Sequence, residues 1–156
     1  LSAAVLLGTL SVWADGFAVE KTKAGVTVKY DGKLFTRYVI GQSNKPFLWP
    51  VIGPSGDEVT RAFPMEKREG ERHDHPHHRS VWFGHQGTAG FDTWHEPASG
   101  RRTNLGSTVH REFVKVKGGD TAVIVTRNDM WATARNCWPM NVRMSSVWRM
   151  AIASLM

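Results

Sequence analysis

Apolar and polar residues alternate with a period of two over most of the chain, which predicts strands rather than helices. Phe17 and Val19 open an alternating run that reaches a turn at Ala24-Gly25. Val26, Val28 and Tyr30 then alternate with Thr27 and Lys29. Asp31-Gly32 supplies the positive φ of a two-residue hairpin, and Leu34 to Ile40 runs back beside the first strand. Gly41 to Asn44 reads as a loop, Phe47-Leu48-Trp49 as a short strand between prolines, and Pro54-Ser55-Gly56-Asp57 as a turn. Val81-Trp82-Phe83 is a further short strand and Phe91 to His95 a strand or its edge, with a glycine-rich loop from Gln86 to Gly90 between them. His110 to Lys117 alternates again, Gly118-Gly119-Asp120 turns, and Ala122 to Thr126 returns as a second hairpin. No stretch carries a sustained helical stripe. The pattern predicts an all-β, antiparallel β-sandwich.

The two ends break this pattern. Leu1 to Leu10 is an apolar run followed by Val12-Trp13-Ala14, the signature of a secretory signal peptide ending at residue 14. It predicts a secreted or periplasmic protein, and the run is too short to span a bilayer. After Met130 neither period fits. Five of the six methionines, three of the seven tryptophans and the single Cys137 lie between Met130 and Met156, with no acidic residue among them. Shifting the reading frame turns Trp138-Pro139 into Ala, Met140-Asn141 into Glu and Met144-Ser145 into Val, within a string that reads as an ordinary strand. The expectation is a domain from 15 to 130, followed by a frameshifted, non-native tail from 131 to 156.

Composition narrows the function without choosing it. A chain of 156 residues with 41% hydrophobic and 22% charged content is one modest globular domain. One cysteine cannot build a disulfide framework. The formal charge of +6 is scattered rather than striped among aromatics, which argues against a nucleic-acid partner. The chain has no phosphate-binding loop between strand and helix and no Gly-x-Ser-x-Gly elbow.

The chemistry concentrates in one run. Six of the seven histidines fall between His73 and His95, three of them in Asp74-His75-Pro76-His77-His78-Arg79. Imidazole is the side chain that titrates near neutrality. Pro76 disfavours helix at His75, so an extended ribbon is expected. His75, His77 and Arg79 would then share a face with Val81, Phe83 and His85, while Asp74, His78 and Trp82 face the other way. Such a set can bind a sugar or an anion, transfer protons, or hold a metal.

The string from Asp74 to His85 resembles the family of secreted bacterial proteins labelled methane oxygenase PmoA. So do Lys45 to Pro50, Val59 to Pro64 and Phe91 to Trp94, and the likeness runs from about Phe17 to Asp129. It implies a galactose-mutarotase-like supersandwich, of which this chain would be a fragment, and a carbohydrate-related role. The first expectation is a small-molecule or carbohydrate ligand handled by acid–base chemistry. His75, His77 and His85 would exchange protons and Arg79 would steady developing negative charge. Asp74 or Asp92 would orient an imidazole. His78 joins the binding set, and Trp82 or Trp94 would offer a ring face to a pyranose. Mutarotase-like enzymes pair histidine with a carboxylate from a later strand, which this chain would lack, so turnover is not expected of it. The second expectation is a divalent metal, zinc or copper, held by His75, His77 and His85 in a metal-binding enzyme or oxygenase. The third is a non-catalytic sandwich in which His78 and Arg79 brace buried polar groups.

Overall fold

The computed structural model describes residues 16–87, 90–100, 103–132 and 143–153. The signal-peptide reading and most of the irregular stretch before residue 143 lie outside the described residues. Strands β1 (Phe17–Thr22), β2 (Gly25–Tyr30), β3 (Lys33–Val39), β4 (Phe47–Val51) and β5 (Val81–Trp82) form one antiparallel sheet in chain order. Strands β6 (Gly106–Lys117), β7 (Thr121–Ala132) and β8 (Arg143–Ala153) form a second, also antiparallel. The fold is all-β and sandwich-like. Among the described residues no helix is long and apolar enough to cross a membrane.

The first hairpin follows from its turn. Asp31 at φ 46° and Gly32 at φ 76° supply the two left-handed positions a two-residue connection requires. Asp31 also accepts a hydrogen bond from the Gly16 N–H through Oδ1. The turn puts Tyr30 opposite Lys33 and Val26 opposite Tyr38, so one face of the pair is apolar. That face packs against β7, where Ala122 and Ile124 alternate inward. Phe17, Val26, Val28, Tyr38, Leu48, Ala122 and Ile124 form the shared core. Each large apolar side chain there contributes roughly 1.5–3 kcal/mol by leaving water.

The sheets are joined at one edge by backbone. Phe17 N–H donates to the Gly119 carbonyl, and Gly119 N–H donates back to Phe17, both at 2.8 Å. Gly118 permits this approach, since a Cβ there would lie 2.2 Å from the Phe17 carbonyl oxygen.

Two sequence expectations are corrected, and one stretch without a strand period forms a strand. Phe83 lies outside β5, which is two residues long. Phe91 to His95 forms no continuous ladder: Phe91 and Asp92 make only isolated bridges, Asp92 to Leu105. Asp92 Oδ1 instead accepts the N–H groups of Trp94 and His95, bending the chain where a ladder would have run. The segment Arg143–Ala153, whose sequence shows no strand period, pairs along its whole length with β7. A ladder made by backbone groups can form without alternation in the side chains.

Candidate functional site

The histidine run is not an extended ribbon. His75 adopts φ 47°, and His78 N–H donates to the His75 carbonyl at 2.9 Å, closing a turn with Pro76 in its second position. Proline excludes the right-handed helical state for His75, and the chain takes the left-handed state instead of the extended one. Arg61 clamps this turn: its guanidinium donates to Asp74 Oδ1 at 2.7 Å and to the carbonyls of Asp74 and His75. As a result His75 and His78 are neighbours rather than opposites. Their rings stack at 5.0 Å with 20° between planes.

Beneath the stack lies a packed polar layer. His77 meets His78 at 4.4 Å and His95 at 4.5 Å between ring centroids. Asp92 Oδ2 lies 2.8 Å from His95 Nδ1, and both residues are buried. An ionised carboxylate only accepts, so His95 carries hydrogen on Nδ1. Burial pulls Asp92 toward the protonated form, but the N–H groups of His95 and Trp94 and the His95 ring outweigh it. Its pKa stays below the usual carboxylate range. Ser99 Oγ takes the Glu96 N–H at 3.2 Å and lies 3.0 Å from His77 Nδ1. Ser99 Oγ keeps its own hydrogen free to donate to Nδ1, the arrangement in which a neutral His77 carries hydrogen on Nε2. Burial first, then the neighbouring His78, His95 and Lys45, push the His77 pKa down to about 4. His78 is lowered as well, again chiefly by burial. Both rings are neutral at pH 7.

Arg79 is part of the brace. Its Nε and Nη2 meet the two oxygens of buried Glu96 at 3.0 Å each, and Ser43 Oγ donates to the same carboxylate at 2.7 Å. A guanidinium so committed holds the wall in place instead of facing a ligand. Lys45, 1% exposed, donates to the Trp94 carbonyl at 2.6 Å and sits 4.5 Å from the Trp82 ring centroid. Burial lowers its pKa to about 8, opposed by Glu96. Trp82 and Trp94 meet edge to face at 4.5 Å, and His78 approaches both rings.

The structure thus brings His75, His77, His78, Trp82 and Trp94 together, with Arg79 and Asp92 behind them. Asp74 lies at the exposed rim, 3.1 Å from His75 Nδ1. The hydrogen bond from Arg61 holds the Asp74 pKa below its ordinary value. His85 does not join them. It is exposed, and its backbone pairs with Thr93 while Gly87 N–H donates to its Nδ1. His75, His77 and His85 therefore form no three-histidine set. No group of three or more His, Cys, Asp or Glu side chains among the described residues is arranged to hold a metal ion.

Lys45, Arg61, His95, Glu96 and Ser99 were not legible as members of the site. Glu96 had one available signal: it follows His95 directly and is a carboxylate in a histidine-rich region. Lys45 entered only as the first residue of the Lys45 to Pro50 string, and a single lysine before Pro46 otherwise reads as solvated surface.

The sequence model of a family of unknown function, DUF6807, matches residues 25–150. No curated protein and no solved structure matches the chain.

Proposed function

The chain belongs to the DUF6807 family, whose function is unknown, and we propose that its histidine cluster binds a small hydroxyl-rich ligand of the carbohydrate class. His75 and His78 exchange protons with the ligand's hydroxyls. The observation that carries this reading is the His75–His78 stack at the open edge of an otherwise closed polar layer. His78 is neutral at pH 7, so it accepts a proton from a hydroxyl, and His75 beside it offers a second imidazole within one ligand's reach. The half-buried Trp82 and Trp94 supply apolar ring surface next to these groups. His77, His95, Asp92 and Ser99 fix ring positions and hydrogen placement from below. The resemblance to the secreted PmoA-labelled family supports the same ligand class, and with it export from the cytoplasm.

A second reading has its own observation. Arg79 pairs with Glu96 and Asp92 with His95, all buried or nearly so, and buried Lys45 bonds the Trp94 carbonyl beside them, as in a purely structural brace. Calorimetric titration of the full chain with free monosaccharides and their methyl glycosides separates the two. Sugar binding predicts a saturable signal at millimolar concentration that His75→Ala/His78→Ala weakens at least about tenfold, or about 1.4 kcal/mol. No heat with any sugar, or equal binding by the double variant, leaves the structural brace.

A further inference from the structure

A cleft of about 360 Å³ opens where β3, β4 and β5 face β8. Phe47, Leu48, Val81, Trp82 and Met150 give it an apolar lining. Val81 on its rim is 48% exposed, so this apolar surface is open to water. Arg149 is the one charged side chain among the described residues that line it. It is exposed, and among the described residues it makes no ion pair. The volume falls within the range of small-molecule sites, roughly 300–1,000 Å³, in which an apolar lining supplies affinity and a few polar groups fix orientation.

We propose that this cleft binds a small aromatic carboxylate, its ring against Trp82 and the half-exposed Phe83 and its anion on Arg149. The lining argues for the ring: indole and phenyl faces favour a flat aromatic partner over a branched aliphatic one. The guanidinium argues for the anion. It matches a carboxylate in a two-pronged fashion, and the cleft offers no acidic side chain among the described residues to repel one. The site shares Trp82 with the carbohydrate reading, but none of the stacked histidines lines it, so Arg149→Gln tests it separately from His75→Ala/His78→Ala.

The test uses two probes of one shape, 2-naphthoate and neutral 2-naphthylmethanol, titrated into the full chain at low ionic strength. The carboxylate is expected to bind at least about tenfold more tightly than the alcohol, a charge-assisted hydrogen bond being the difference. Arg149→Gln, at an exposed strand position, should bring the two within about twofold while leaving the alcohol unchanged. Val81→Trp should fill the mouth and weaken both probes by about tenfold or more, with the circular dichroism spectrum checked for folding. Equal binding of the two probes by wild type overturns the proposal, as does a preference that survives Arg149→Gln. Absence of naphthoate binding up to millimolar concentration overturns it too. If in that case wild type sediments as a dimer and Val81→Trp as a monomer, a second copy of the chain covers the cleft instead.

Discussion

Replacing His77 by glutamine should remove much of the protein's sensitivity to mild acid. His77 is 6% exposed, and its pKa in the fold is about 4 against an ordinary 6.5. Between those values the unfolded chain binds a proton that the folded one refuses. Its contribution is therefore complete above pH 6.5 and is lost as pH falls toward 4, a stability that rises with pH through this window. Integrating the linkage relation from pH 7 to pH 5 gives a loss of about 2 kcal/mol from this residue alone. His78, lowered in the same direction, adds a smaller part. Stopping at pH 5 keeps the carboxylates out of the measurement, because Glu71, Asp74 and Asp92 are lowered below their ordinary values and surrender their contributions only in stronger acid. Urea unfolding at half-unit steps gives the free energy at each pH, and His77→Gln keeps a polar group beside Ser99 without the titration. The wild-type slope should exceed the variant slope over this interval by an integrated amount of about 2 kcal/mol. Parallel profiles would refute the account of His77 as a ring held neutral by burial.

Glu96→Ala should cost about 3–5 kcal/mol in urea unfolding by stranding the Arg79 guanidinium, while Glu96→Leu/Arg79→Met should cost far less; a loss under about 1 kcal/mol in the single variant would contradict the brace. Nitrogen-15 correlation spectra at pH 7 should place hydrogen on Nδ1 of His95 and Nε2 of His77, and Asp92→Asn should change the His95 pattern; the opposite tautomers in wild type would overturn the assignment. Gly25→Ala should destabilise by at least about 3 kcal/mol, because its Cβ would sit 1.8 Å from the Tyr38 carbonyl oxygen at φ +139°. Gly41→Ala, with open space around it and φ +76°, should cost only about 1 kcal/mol, and equal losses would mean that space is not what decides.

The strands legible in the sequence are those that local chemistry dictates. Asp31-Gly32 requires a left-handed pair of residues, and the alternation of Val26 and Val28 requires a buried face, so β2 and β3 follow without tertiary information. The connection after β6 is legible for the same reason, through Gly118-Gly119. The site was legible as a cluster and illegible as a geometry. Pro76 limits His75 without choosing between extended and left-handed backbone, and the choice falls to Arg61, whose contacts with the turn carbonyls span 13 and 14 residues. Once His75 turns, alternation along the ribbon no longer says which rings meet. Lys45 and Glu96 are brought in by contacts spanning 49 and 53 residues, to Trp94 and Ser43, which no local pattern records. β8 escaped because its ladder is written in β7, whose regular inward positions do the specifying.

The first sheet ends on two residues, Val81 and Trp82. A foreign strand arriving at that border would find almost no template to copy, because the chain leaves the ladder on either side and Trp82 is anchored over Lys45. Fibril-like growth from this side of the molecule is halted by geometry before any charge is needed to repel it.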